Sequence, residues 1–202
     1  MQHQTPEGAF FEVTWLPDRK MNRTNFANNT NLHNRNITLT SHVLISLADV
    51  KDLAGSMSTR VELAKQRAVL WIERNIQFLD DTSEPYDVAI TAYALQLCKS
   101  PLAEHVFAIL RKHARTIGDF MYWGNEEVPQ PPRKLENQKW FALPRLPYKY
   151  DSLNIETTAY ALLVYVSRRE FFVDPIVRWL NAQRLNDGGW ASTQVSCVLL
   201  EN

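Results

Sequence analysis

The sequence predicts an all-α chain laid out as an incomplete α/α toroid, and three observations carry that reading. First, a helical segment recurs: Asn154-Ile155-Glu156-Thr157-Thr158-Ala159-Tyr160-Ala161-Leu162-Leu163 is echoed by Asp87-Val88-Ala89-Ile90-Thr91-Ala92-Tyr93-Ala94-Leu95 and, more loosely, by Ile37 to Leu47. Each is too long and too rich in Ala and Leu for a lone strand. Second, nearly uncharged segments alternate with amphipathic ones, as inner and outer layers of helices would. Third, a turn recurs, since Gln4-Thr5-Pro6-Glu7-Gly8-Ala9-Phe10 resembles Gln183-Arg184-Leu185-Asn186-Asp187-Gly188-Gly189-Trp190. Repeats of this kind bury their apolar faces against neighbours.

In chain order, the turn at Gln4–Phe10 precedes an inner helix starting near Thr38. An outer helix follows from Thr59 to about Leu79, with Thr59 and Glu62 read as a capping box and Val61, Ala64, Ala68, Trp71, Ile72 and Leu79 as its core face. Asp87 reads as the N-cap of the next inner helix. Ser100-Pro101 places a cap before a first-turn proline and opens an outer helix to about Arg115. Residues 120–151 hold Pro129, Pro131, Pro132, Pro144 and Pro147, a density no helix survives, so this stretch is a Pro-rich loop insertion. Asn154 caps the third inner helix near Ile155, and Asp174-Pro175 starts an outer helix to about Gln183. A last inner segment begins near Thr193 and runs to the uncapped Val198-Leu199-Leu200-Glu201-Asn202. About seven helices result, too few to close a ring of six hairpins. The reading is therefore one partial domain over 1–202, with Val43, Leu47, Val198 and Leu199 at incompletely covered edges.

Of the 202 residues 45% are hydrophobic, enough for a packed core, and a net charge of +0 gives no electrostatic reason to expect nucleic acid. No apolar run approaches the roughly 20 residues of a membrane span. Met1-Gln2-His3-Gln4 is not the start of a signal peptide. Cys98 ends an apolar helical run and reads as an inert buried thiol; with Cys197 it forms neither a disulfide framework nor a zinc spacing. The five histidines, His3, His33, His42, His105 and His113, show no ligand spacing, so no metal and no cofactor are expected. Asn22, Asn28 and Asn36 each open an Asn-x-Thr glycosylation sequon, which points to an extracellular protein.

Glu7-Gly8-Ala9-Phe10, Leu39 to Leu47, Ile90 to Leu95, Thr157 to Leu163, Ile176 to Arg184 and Gly188 to Gln194, in this order, resemble the thioester domain of the α2-macroglobulin and complement family. Ile155 to Gln194 is the most specific part, and the Pro-rich insertion looks most like the insect thioester-containing and macroglobulin-complement-related members. The resemblance implies an extracellular, non-enzymatic domain of a longer protein of innate immunity, whose flanking macroglobulin domains are absent here. The implied role is trapping proteases or tagging microbial surfaces, with proteases, microbial or cell surfaces and the parent's other domains as partners. Reactive members join Cys and Gln as a thioester in a Gly-Cys-Gly-Glu-Gln motif. No such motif occurs here, since Lys99 follows Cys98 and Val198 follows Cys197. Counted from Glu7–Phe10 to Met21, Asp18 matches the position that tunes the thioester, where an imidazole would relay the acyl group. Two rivals remain: a thioester-free scaffold acting through protein contacts, and a terpenoid cyclase or prenyltransferase on a similar toroid. Asp80-Asp81-Thr82-Ser83-Glu84 imitates the latter's acidic diphosphate-binding run, but reads more simply as a polar connection after Leu79.

Overall fold

The computed structural model describes residues 3–12, 34–50, 55–80, 84–124, 151–185 and 189–190. These form α1 (Asn34–Asp49), a 3-10 turn (Gly55–Met57), α2 (Ser58–Arg74), α3 (Gln77–Asp80), α4 (Pro85–Leu97), α5 (Ala103–Lys112), β1 (Arg115–Ile117), β2 (Phe120–Tyr122), α6 (Asp151–Arg168) and α7 (Val173–Ala182). The chain divides into two compact units: Met1–Ser83 with Asp87–Lys112, and Glu84–Tyr86 with His113–Asn202.

In the first unit α1 packs along α2, which turns Val61, Ala64, Ala68, Trp71 and Ile72 inward at helical spacing. From Tyr86 to Ala92 every residue of α4 is buried. In the second unit every residue of α6 from Asn154 to Tyr165 is buried, while α7 buries one stripe, Ile176, Trp179 and Leu180. An all-round apolar helix has to be enclosed and an amphipathic one does not, so the alternation seen in the sequence becomes an alternation of burial. The segment near Thr193 lies outside the described residues.

Helix ends depart from the sequence reading. Met57 and Phe172, not Thr59 and Asp174, precede α2 and α7, and neither end has a side-chain cap. Asp87 and Asn154 lie inside their helices, which begin at Pro85 and Asp151. Their side chains are needed elsewhere, as described below. The helix expected to reach Leu79 stops at Arg74, because Asn75 Nδ2 donates to the Trp71 carbonyl at 2.7 Å and competes with the next turn. The Ser100 cap is present, its Oγ accepting from Leu102 N at 3.2 Å. Leu47 is buried, 8% exposed, rather than at an open edge. Val198 and Leu199 lie outside the described residues.

The helix expected to run to Arg115 ends at Lys112, and Arg115–Ile117 instead pairs with Phe120–Tyr122 as an antiparallel hairpin. Its two-residue turn, Gly118-Asp119, puts Gly118 at φ +57, where a primed turn requires glycine. The stretch after Phe120 is thus structured at its start: Tyr122, Trp123 and Gly124 are buried, with Tyr122 stacked on Trp179 at 4.9 Å.

α4 and α6 also end alike. Ser100 N donates to Leu95 O and Lys99 N to Gln96 O; Glu170 N donates to Tyr165 O and Arg169 N to Val166 O. Both are Schellman motifs, and each places a non-glycine residue in the left-handed region: Lys99 at φ +54 and Arg169 at φ +57. A Cβ there costs about 1–2 kcal/mol, against about 0.5–1 kcal/mol for glycine's extra unfolded-state freedom. Lys99→Gly and Arg169→Gly are each expected to stabilise by about 0.5–1 kcal/mol, seen as a higher urea midpoint at unchanged slope. A lower midpoint would mean that these exposed side chains make contacts worth more than the strain.

Candidate functional site

Among the described residues buried polar groups are paired in two kinds of place: elbows that carry an aromatic residue, and side-chain pairs between helices. The first elbow is the turn at Gln4–Phe10. Thr5 N donates to Ala9 O at 2.8 Å, Gly8 N to Thr5 O at 3.0 Å, and Gln4 Nε2 ties Gly8 O to Ala64 O of α2 at 3.0 and 2.8 Å. The chain then enters the core, and the buried Phe10 N–H donates to Thr40 Oγ1 of α1 at 2.9 Å. At the second elbow Trp123 N–H donates to Thr158 Oγ1 of α6 at 3.0 Å, and that hydroxyl donates back to Trp123 O at 3.2 Å. One threonine thus satisfies backbone groups that a buried aromatic would otherwise leave unpaired. In the third, Leu185 N donates to Gly189 O at 2.8 Å, matching Thr5 N to Ala9 O, and Trp190 Nε1 donates to Leu180 O at 3.0 Å. The matching bonds register Gln4 with Arg184, one residue on from the Gln183 that sequence comparison selects. Arg184 covers the Trp190 ring at 4.6 Å.

The pairs explain why Asp87 and Asn154 do not cap. Asp87 Oδ1 accepts from Thr38 Oγ1 at 2.8 Å, and Ser41 Oγ meets Thr91 Oγ1 at 3.0 Å. Asn154, 2% exposed, closes over Gly124, where a Cβ would fall 2.1 Å from Asn154 Oδ1. In the second unit Tyr86 donates to Glu156 Oε1 at 2.8 Å, and Glu156 is fully enclosed. An enclosed carboxylate is costly without such a donor. Sequence reading missed Glu156, Thr40 and Thr158; the signal for the threonines was one threonine at the same register of each repeat (Thr40, Thr91 and Thr158), whereas Glu156 has Ala89 at its register and no such signal.

Asp18, Asn22 and Asn28 lie outside the described residues, as does Cys197. Asn36 sits half-buried in the first turn of α1, with Ile37 and Thr38 of its sequon 2% and 3% exposed. Cys98 is a half-buried free thiol at the end of α4. Burial pushes its pKa up; nearby Lys65 opposes this and Glu62 reinforces it, so the thiol has no activated character. Asp80, first of the acidic run, pairs at the surface with His105 at 3.1 Å, and no three His, Cys, Asp or Glu side chains among the described residues gather as metal ligands would. The hydrogen bonds of the elbows and pairs position backbone and hold helices together.

A mostly helical chain in which two helices, α1 and α6, each take the backbone N–H of an elbow aromatic on a threonine hydroxyl defines a helical repeat domain. The family model described as A-macroglobulin TED domain matches residues 1–202, and the chain belongs to this family of thioester domains. Complement C3 of Lethenteron camtschaticum is 26% identical over 170 residues, which cover 82% of this chain and 9% of that protein. The chain thus spans about a tenth of that relative's length. No helix among the described residues is long and apolar enough to cross a membrane.

Proposed function

We propose that this chain serves, within a secreted complement-like protein, as the part of a thioester domain that frames the reactive bond and sets what it reacts with. The family match over residues 1–202 carries the reading. The parent traps proteases or marks surfaces by covalent attachment and is not an enzyme, because its thioester is consumed. Attack by an amine forms a C–N bond, breaks the C–S bond, and leaves the thiolate to take up the amine's proton. Asn22, Asn28 and Asn36 are the candidate carbohydrate sites; of these Asn36 lies in the first turn of α1 beside the buried Ile37 and Thr38, a setting that disfavours its modification.

Asp18 gives the reading its sharpest form. An imidazole there would take the acyl group and release a thiolate able to help a hydroxyl attack. A carboxylate could form only a mixed anhydride, and its charge would oppose the developing thiolate. The wild-type parent, activated in the presence of a competing amine and polyol, is expected to acylate the amine. Asp18→His is expected to move the product ratio towards the polyol by about 100-fold, the lower range for positioned acid–base groups. An unchanged ratio would remove Asp18 from the reaction. A parent that forms no adduct at all would be a scaffold acting through protein contacts alone.

A further inference from the structure

The outward face of α2 differs from that of α5. Arg60, Leu63, Arg67, Leu70 and Arg74 are all exposed, the two leucines by 51% and 49%. Their spacing of three, four, three and four residues confines them to an arc of about 80° and a length of roughly 21 Å on an ideal helix. By contrast α5 exposes Glu104, His105, Ala108, Arg111 and Lys112, none of them a large apolar residue. A lone exposed leucine needs no explanation; two at heptad spacing between three arginines form a seam.

The arginines have no ion-pair partner among the described residues; the one polar contact in the stripe is Arg60 Nη1 with Met57 Sδ at 3.8 Å. The helix's two carboxylates lie off the seam and are engaged elsewhere, Glu62 with Lys65 at 2.7 Å and Glu73 with the Ser100 hydroxyl. The frame is fixed, because Gln4 holds Ala64 O and Asn75 holds Trp71 O. A seam on a held helix loses little freedom when something docks.

We propose that the Arg60–Arg74 face of α2 docks an acidic amphipathic helix of a partner protein. The leucines would interdigitate with the partner's leucine seam, and the arginines would meet carboxylates beside it. Three like charges along the seam oppose pairing with a second copy of this chain. A helix lying on a membrane separates its apolar face from its basic one, whereas here arginine and leucine share a single arc. The docking surface does not depend on the thioester reading.

The probe is a fluorescent synthetic helical peptide with leucines at alternating three- and four-residue intervals and glutamates flanking them, titrated with the chain at low and high salt. Saturable polarisation is expected, weakening with salt because the rim charges are screened. Leu63→Ser with Leu70→Ser is expected to weaken binding about tenfold or more. Arg60→Gln, Arg67→Gln and Arg74→Gln together are expected to weaken it and flatten the salt dependence. All five are surface changes, so both variants should keep the wild-type thermal melt. The proposal is overturned if a peptide of the same composition with its leucines dispersed binds equally well. No binding, unaltered binding by either variant, or binding to phosphatidylserine vesicles in place of the peptide would overturn it too.

Discussion

Gly8→Ala is expected to unfold the first unit's elbow and cost about 3 kcal/mol, a large share of the 5–15 kcal/mol typical of a domain. Two independent effects add. Gly8 has φ +116, where a side chain is strained, and its position would place a Cβ 2.2 Å from the Arg67 carbonyl oxygen and 2.6 Å from the carbonyl carbon. Both obstructing atoms belong to the α2 backbone, so no rotamer change relieves the clash. The turn must move away from the helix, and Gln4 cannot then reach both Gly8 O and Ala64 O. Backbone strain of about 1–2 kcal/mol and overpacking of about 1–3 kcal/mol give the sum. Urea denaturation followed by circular dichroism reads the total, and hydrogen exchange at Phe10 and along α1 reads the location. Gly55→Ala is the internal control: Gly55 also has positive φ, at +48, but no atom lies within 4 Å of its added Cβ. If the two variants lost equal stability, backbone strain alone would account for the effect and the contact with Arg67 would contribute nothing.

The helices and their layering were legible because burial follows hydrophobic periodicity closely when a helix is apolar all round. Ile155 to Tyr165 can only be enclosed, and it is. The ends were less legible, for a specific reason. Asp87 and Asn154 have the chemistry of caps, but the same oxygen atoms serve equally well against a neighbouring element. Which use wins depends on Thr38 and Gly124, distant in sequence. Thr59 failed as a cap because α2 already begins at Ser58, which puts the cap position two residues earlier, at Met57. The hairpin was missed because strands of three residues are too short to show alternation, and Arg115-Thr116-Ile117 reads as well as a helix end. Gly118-Asp119 was the available signal. Asp18 is a different case: its assignment comes from family resemblance, and no spacing in this chain would single it out.

Trp123→Ala is expected to cost about 3–5 kcal/mol, the range for removing a large buried aromatic. Trp123 is fully buried, its ring edge-on to Tyr165 at 5.4 Å, and it follows Tyr122, which stacks on Trp179 of α7. Truncation leaves a cavity beside α6 and loosens the point where β2 delivers the chain to the core. A second substitution separates ring from backbone. Thr158→Val keeps the shape of the side chain but takes away the hydroxyl that both accepts from Trp123 N–H and donates to its carbonyl. Leaving buried backbone groups unpaired costs about 1–3 kcal/mol, so this variant should fall clearly, but by less than Trp123→Ala. Removing a tryptophan alters the fluorescence signal itself, so circular dichroism melts in urea are the proper readout, with hydrogen exchange along α6 and α7 to locate the change. A loss below about 1 kcal/mol for Trp123→Ala would mean that Tyr165 and its neighbours collapse into the space, making the elbow a passive connection. A full loss for Trp123→Ala with none for Thr158→Val would instead assign the elbow's stability to the ring and leave the threonine–backbone pairing, common to Phe10 and Trp123, as a device that fixes direction without adding stability.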